Sequence, residues 1–283
     1  MTGCDSFLMP QTARDHFVEA IAGEDSNVDL AEACLWISAE ANPALDVVIY
    51  RDKIRTLAGA LSAEVSPTGS VVEKVRQVNR HLFVAHNYHG NRDDYYDPRN
   101  SYLDCVLDRR TGIPITLSVL WMTVAEKVGL DVYGVGFPGH FLVGVRDEPT
   151  LYVDAFSGEA ISEQGCRDRL FEMGAGKVVF QPSMLAATSK REILLRVLRN
   201  LKQIHIQASD YAEAIACIDR ILLLAPEFAT ELRDRGILYR SLECWSSARQ
   251  DLETFIAMAP NGPEVESVRH ILEELKVRTA HIH

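Results

Sequence analysis

Two polar residues, His140 and Asp154, occur in apolar runs, "GHFLVGV" and "LYVDAF", that predict neighbouring strands. They follow a predicted helix that begins at "TGIPITLSVLW", with Pro114 in its first turn. In one class of cysteine enzymes, a Cys at a helix N-terminus attacks the substrate, a strand His moves the proton and a strand Asp orients the His. The order of parts is the same here, except that proline has no thiol.

The His140–Asp154 pair has three interpretations: an active dyad, a hydrogen-bonded structural pair, or part of a ligand site. A buried His that faces a carboxylate is most often structural, so that interpretation is favoured. Cys105 is the nearest thiol in the sequence, nine positions before Pro114 (114 − 105 = 9), and is the candidate for a displaced nucleophile. It falls within a predicted helix rather than at a positive helix end, which disfavours the thiolate.

The elements before this region are predicted to be helical. Residues 10–66 carry apolar residues at helical spacing, with Asp29 as a helix N-cap and a break at Asn42-Pro43. "SVVEKVRQVNRHLFV" predicts a further amphipathic helix.

A small antiparallel sheet is predicted to pack on a central helix. "SYLDCVLDRRTG" indicates a short helix ended by Gly112, and the following helix, the central one, ends at Gly129. "LDVYGVGF", "HFLVGVR" and "LYVDAF" then predict three strands joined by short turns, and residues 160–190 predict a helix plus an irregular linker.

A polar and aromatic loop, residues 86–104, precedes the central helix. It carries side chains of the metal-ligating types: His86, His89, Asp93, Asp94 and Asp97. Turn formation and solvation explain these residues better, so neither a metal nor a cofactor is predicted. The residues expected to line a cleft beside His140 are Tyr95, Tyr96, Asn100, Arg109 and Arg110.

From about residue 190 the pattern is helical and repeats. Related residues recur 34 positions apart: Tyr211 and Trp245, Ala214 and Ala248, Pro226 and Pro260. This period and these residue types are typical of tetratricopeptide repeats. In the repeat register the inner helices carry a candidate peptide groove formed by Arg196, Arg199, Asn200, Gln203, Arg233 and Arg240. Such a groove suits an acidic peptide or a C-terminal carboxylate; the alternative is a solvated face paired with Glu231 and Asp234.

Composition excludes several classes of function. The 283 residues have a formal net charge of −11, which disfavours binding to nucleic acid or to anionic lipid. The six cysteines form no CxxC pair, which disfavours a zinc site. With no secretory signal and no apolar run of roughly 20 residues, a cytoplasmic protein with reduced thiols is expected.

The motifs resemble a known family. "TGIP…VGL", "HFLVGV" and "YVDAF" are similar to the nucleophile helix, the His strand and the Asp strand of the transglutaminase-like, papain-like core, with Pro114 where the Cys belongs. Over about residues 28–278, "GNRDDYYDPRNSYLDCVLDRRTGIPITLSVLW" and "GLDVYGVGFPGHFLVGV" resemble a bacterial family, of invasion-regulator type, that joins this core to tetratricopeptide repeats. A related domain accompanies an F-box in some animal proteins. The resemblance implies that "GIPI" is the usual helix start and that the family generally lacks the nucleophile.

The expected fold is therefore α+β: a helical N-terminal region and a transglutaminase-like core with a small antiparallel sheet over residues 1–185, then an all-α tetratricopeptide-repeat domain with a capping helix over residues 186–283. The expected function is that of a non-catalytic adaptor that binds protein partners through the repeat groove and the degenerate cleft. The alternative is a cysteine-dependent amidase, peptidase or acyl transferase that uses His140 and Asp154 with Cys105. A third possibility is a small-molecule sensor that uses the old cleft.

Overall fold

Three helices form the N-terminal region, as the apolar spacing predicts. They are α1 (Ala13–Ala20), α2 (Leu30–Ala41) and α3 (Val47–Glu64). Asp29 is the N-cap of α2, since its side chain accepts a hydrogen bond of 3.0 Å from the backbone N–H of Glu32. Helix α2 ends just before the predicted break at Asn42.

Helix α4 (Val71–Asn79) begins with a capping box between Ser70 and Glu73. The sequence predicts one regular helix to residue 84, but a π-helical turn replaces its end at Arg80–Ala85. At this turn the ring of buried His81 places Nε2 2.9 Å from the carbonyl oxygen of Leu57 in α3. A wider turn is a tertiary feature that apolar periodicity does not reveal.

The loop after the π turn contains a short strand, β1 (His89–Gly90), that was not predicted. It pairs in parallel with β2 (Thr111–Gly112), which follows α5 (Leu103–Arg109). Arg110, with a φ of +58°, is the left-handed residue that ends α5. The prediction that Gly112 ends this helix is therefore wrong, because Gly112 is held in the β1–β2 pair.

Helix α6 (Pro114–Glu126) is the core of the first part of the chain, and nearly every one of its side chains is buried. It packs on a five-stranded antiparallel sheet with the order β6-β5-β4-β3-β7. The strands are β3 (Val132–Val135), β4 (Leu142–Val145), β5 (Leu151–Asp154), β6 (Glu159–Ile161) and β7 (Ala187–Thr188). The central three were predicted; β6 and β7 are short edge strands whose sequence pattern is weak.

All remaining elements are helical. Helix α7 (Glu163–Met173) follows β6, and the C-terminal part contains α8 (Lys190–Gln207), α9 (Tyr211–Leu224), α10 (Ala229–Ser241), α11 (Trp245–Met258) and α12 (Val265–Ala280). Gly236 lets α10 approach α11 closely, since a Cβ there would lie 2.7 Å from Leu252. The C-terminal part thus has the paired helices that the 34-residue period predicts, and the α+β fold class is confirmed.

The structure, a computed structural model, describes residues 12–173 and 177–280, and the chain divides into two units. The first unit contains the described residues up to Tyr95 together with Arg99–Ile193. The second contains Tyr96–Pro98 and the described residues from Leu194 onward. Cys4 and the N-terminal stretch considered for a secretory signal fall largely outside the described residues.

Candidate functional site

The start of α6 holds a proline at the first helical position. Pro114 is buried there, and its fixed φ and missing N–H suit a helix start. Two residues on, the Thr116 hydroxyl is fully buried and donates a 2.7 Å hydrogen bond to the carbonyl oxygen of Asn100. The start of α6, where the resemblance places the nucleophile, thus holds a packed proline that has neither a thiol nor a backbone N–H donor.

His140 and Asp154 come together as predicted. His140 Nε2 lies 2.9 Å from Asp154 Oδ1, and the two side chains are 12% and 3% exposed. The imidazole therefore lies directly against the carboxylate. His140 also lies two residues before β4 and not within a strand, which corrects its predicted position.

Asp154 also has a cationic partner that sequence reasoning missed. The Arg169 guanidinium of α7 is in close contact with Asp154 Oδ2 and also lies 2.9 Å from Glu159 Oε2. Asp154 Oδ1 accepts hydrogen bonds from the backbone N–H groups of Phe156 at 2.9 Å and Ser157 at 3.3 Å. The carboxylate that would orient a catalytic His is thus occupied by an arginine and two amides.

Phe156 connects the His–Asp pair to the loop that precedes α5. Its ring makes edge contacts with His140 at 6.1 Å and Tyr95 at 6.2 Å between centroids. The Arg92 guanidinium lies 5.8 Å from the same ring. Gly90 touches the ring so closely that a Cβ would lie 2.3 Å from it. A cavity of about 400 Å³ opens beside Phe156, lined also by residues 89–93 and Ser157.

Of the other predicted cleft residues, some hold the loop before α5 in place and others are exposed to solvent. Asn100 is fully buried and donates to the carbonyl oxygens of Asp94 at 2.7 Å and Tyr95 at 3.2 Å, while Arg109 Nη1 lies 3.4 Å from its Oδ1. Asn100 and Arg109 thereby fix the loop. The side chain of Tyr96 is 67% exposed.

Arg110 lines a different cavity, beside His86 and Leu107, and is not among the residues around Phe156. Its left-handed backbone at the end of α5 directs it away from its sequence neighbour Arg109. The structure therefore does not bring Arg110 together with the His140–Asp154 pair.

Cys105, the alternative nucleophile, is a half-buried thiol on α5. Its Sγ lies 3.6 Å from the Asp104 carboxylate. Burial, together with the charge of Asp104, raises the pKa of the Cys105 thiol to about 12. A thiolate is the reactive species, so this environment opposes nucleophilic activity near neutral pH.

In the repeat region, the predicted groove arginines form ion pairs between alternate helices, from α8 to α10 and from α10 to α12 or the residue before it. Arg199 Nε of α8 lies 3.2 Å from Glu231 Oε1 of α10; Arg233 and Arg240 of α10 lie 2.8 Å from Glu264 and 2.7 Å from Glu274. Lys202, also on α8, reaches both Glu231 and Asp234. Of the other predicted groove residues, Arg196 and Asn200 are half-buried and Gln203 is exposed. We call the Arg199–Glu231, Arg233–Glu264 and Arg240–Glu274 pairs the inner-helix ion pairs.

The residues of the polar loop do not gather around one point. Among residues 12–173 and 177–280, no group of three or more His, Cys, Asp or Glu side chains is arranged to hold a metal ion. No helix in the same part of the chain is long and apolar enough to cross a membrane.

These features define a transglutaminase-like protein with tetratricopeptide repeats. The model of the transglutaminase-like superfamily matches residues 49–199, and a tetratricopeptide-repeat model matches residues 201–273. The chain is 37% identical over 257 residues to a UPF0162 protein of Xylella fastidiosa strain 9a5c, covering 89% of this chain and 92% of that protein. A UPF0162 protein of Pseudomonas aeruginosa is 31% identical over 251 residues, again covering 89% and 92%. The chain belongs to the UPF0162 family.

An animal relative carries the same region within a longer protein. F-box only protein 21 of Pongo abelii is 29% identical over 309 residues, covering 95% of this chain and 49% of that protein. The resemblance drawn from the "GIPI" and "HFLVGV" motifs is confirmed, and the repeats indicate a protein-interaction role.

Proposed function

We propose that this protein is a non-catalytic adaptor, in which a transglutaminase-like domain without its nucleophile serves as a scaffold and the repeats bind a protein partner. The observation that carries the proposal is Pro114, buried at the first position of α6. A proline at this position can neither attack a substrate nor donate a hydrogen bond to an oxyanion.

The environment of Asp154 supports this proposal. A catalytic carboxylate acts by orienting its His and stabilising the imidazolium. Here Arg169 supplies the positive charge that an imidazolium would otherwise provide, and two backbone amides fix Oδ1. The arrangement suits a buried structural pair whose charges are compensated within the fold.

Labelling with a thiol-reactive acyl probe, read by peptide mass spectrometry, tests the catalytic half of the proposal. We expect the exposed Cys244 to react slowly and non-saturably, and Cys105 to stay unmodified. The Cys244→Ser variant removes the background signal. Saturable acylation of Cys105 that is lost in His140→Ala would overturn the adaptor proposal in favour of the cysteine-dependent enzyme.

The second half of the proposal is that the partner binds to a surface on α8 and α10. The Arg199 side chain is 45% exposed although it is paired, so an acidic side chain or a C-terminal carboxylate of a partner can exchange with Glu231 as its counter-ion. Because the inner-helix ion pairs must open for this exchange, we expect moderate affinity that weakens at high salt.

Affinity capture from the source organism, with the full chain as bait, tests this surface. We expect Arg199→Glu combined with Arg233→Glu to lose partners that the wild type retains. The control combines Arg249→Glu with Arg269→Glu, which makes the same charge change at arginines paired only within their own helices. Equal loss in both variants, with unchanged melting temperatures, would contradict a specific groove.

A further inference from the structure

A second cavity, of about 670 Å³, lies on the first unit away from the residues around Phe156. Helix α3, the segment after the π turn and the end of α5 form its walls. Its volume falls within the range of roughly 300–1,000 Å³ that is typical of small-molecule sites. The three buried side chains of its floor are Leu57, Tyr88 and Leu107, each at most 8% exposed.

The backbone on both sides of this cavity adopts rarely populated conformations. Asn87 and Arg110 have φ angles of +57° and +58°, and the π-helical turn ends immediately before His86. The left-handed conformation is unfavourable for arginine, which has no short side chain to stabilise it. Such outliers are found disproportionately at functional sites. Here they bring the side chains of His86 and Arg110 to one cavity.

The charge balance of the lining leaves one cation uncompensated. The Asp108 carboxylate binds Lys53 Nζ at 2.5 Å and the Tyr50 hydroxyl at 2.8 Å, and Asp52 binds Arg55 at 2.5 Å. Within the described part of the chain, the Arg110 guanidinium has no carboxylate or carbonyl acceptor, unlike the arginines of the inner-helix ion pairs. Arg110 lies near His86, whose pKa is lowered by burial and by the nearby charges of His81 and Arg110.

We propose that this cavity binds a small organic anion, whose carboxylate or phosphate pairs with Arg110 and hydrogen-bonds to His86 while its apolar body covers Leu57 and Leu107. The guanidinium supplies two parallel N–H donors that match either oxyanion. The apolar floor selects for an anion with a hydrocarbon body over a bare ion. The same chemistry is offered by a free organic acid and by the C-terminal carboxylate of a peptide with an apolar last residue.

Calorimetric titration of the full chain with hexanoate, phenyl phosphate and acetate tests this site. We expect hexanoate to bind about tenfold more tightly than acetate, because its additional methylene groups cover the apolar floor. A short peptide ending in leucine, compared with its amidated form, separates the two sources. Preference for the peptide over hexanoate assigns the site to chain termini, and the reverse assigns it to free acids.

The decisive variant is Arg110→Gly. Glycine adopts the left-handed conformation without strain, so the melting temperature should stay equal or rise while affinity for hexanoate falls at least about tenfold. Asn87→Gly is the matched control: it relieves the same backbone conformation near the same cavity and should leave the affinity unchanged.

Three results would overturn the proposal. One is hexanoate binding in Arg110→Gly that equals the wild type. Another is acetate binding as tightly as hexanoate, since the floor would then contribute nothing. The third is no binding of hexanoate or phenyl phosphate at millimolar concentration to the wild-type chain.

Discussion

Replacing Arg235 by glutamine should destabilise the repeat region strongly. Arg235 of α10 bridges the two neighbouring helices: its Nη1 lies 2.6 Å from Asp219 of α9, and its Nε and Nη2 lie 2.7 and 2.8 Å from Asp251 of α11. These hydrogen bonds, first those to Asp251, raise the pKa of Arg235. These bonds therefore hold the guanidinium in its charged form.

The magnitude follows from burial. The side chains of Arg235, Asp219 and Asp251 are 21%, 18% and 9% exposed. Removing one partner of a buried ion pair costs about 3–5 kcal/mol, because the opposite charge stays buried without compensation. Since about a fifth of the arginine reaches water, we expect the lower end, about 3 kcal/mol.

Peptide-resolved hydrogen exchange under native conditions measures this change where it occurs. In Arg235→Gln, the free energy of opening measured for peptides from α9, α10 and α11 should be about 3 kcal/mol lower than in the wild type. Arg249→Gln is the matched control, because its pair with Glu253 is exposed, 3.8 Å long and within one helix. It should change the free energy of opening by less than about 0.5 kcal/mol.

Two results would refute this reasoning. One is an Arg235→Gln effect no larger than that of Arg249→Gln. The other concerns the triple variant Asp219→Leu, Arg235→Met and Asp251→Leu, which removes all three charges of this bridge and should recover most of the lost stability. If the triple variant were as unstable as Arg235→Gln, lost packing rather than uncompensated charge would be the cause.

Three further outcomes are expected. At pH 8, iodoacetamide should modify exposed Cys244 well before Cys105, since burial raises the pKa of the Cys105 thiol to about 12; comparable rates by mass spectrometry would contradict that environment. Burial lowers the pKa of His86 below its ordinary value of 6.5. As the pH falls, the imidazole of His86 is therefore protonated in the unfolded chain before it is protonated in the folded chain. The contribution of His86 to stability is then complete above pH 6.5 and is lost as the pH falls through its folded pKa. His86→Gln should flatten this part of the stability–pH curve, and an unchanged slope would count against the shift. Gly59→Ala should stabilise α3 by about 0.5–1 kcal/mol, because nothing lies within 4 Å of a Cβ there. Gly236→Ala should instead destabilise the repeats by about 1–3 kcal/mol, because its Cβ would overlap Leu252; effects of equal sign in urea unfolding would refute this contrast.

Local sequence signals located most of the elements. The Asp29 cap, the proline start of α6 and the 34-residue spacing of the repeats each depend on residues near one another in the chain. The His140–Asp154 pairing was predicted from the order of the helix start, the His run and the Asp run, which resembles the order in a class of cysteine enzymes. These features follow from periodicity and from known helix and turn chemistry.

Several of the charge partners could not be predicted in the same way. Arg169 lies in a helix of charged residues, and nothing nearby in the sequence indicates that it binds Asp154. The inner-helix arginines were predicted to face a ligand, with pairing to Glu231 and Asp234 as the alternative. The structure shows that alternative pairing, at Arg199–Glu231 and Arg233–Asp234. The pairs of Arg233 with Glu264 and of Arg240 with Glu274 were not predicted, because their carboxylates lie more than 30 positions away in the chain (264 − 233 = 31; 274 − 240 = 34). Arginine is unfavourable in the left-handed conformation, so local propensity favoured Gly112 over Arg110 as the end of α5. In each case a tertiary contact decides the outcome.

The inner-helix ion pairs also bear on how long the repeat array can become. Arg199 and Arg233 are 34 positions apart, and their acceptors Glu231 and Glu264 are 33 apart (233 − 199 = 34; 264 − 231 = 33), so the same pair recurs once per repeat, at alternate helices. The next arginine would fall at position 267, which is the exposed Ser267. Within the described residues, α12 therefore accepts a charge from Arg240 of α10 through Glu274, while position 267 has no arginine that would continue the series. A helical hairpin inserted into the repeats would need both an arginine and a carboxylate at the corresponding positions. Otherwise one charged side chain of the neighbouring helix would have no ion-pair partner.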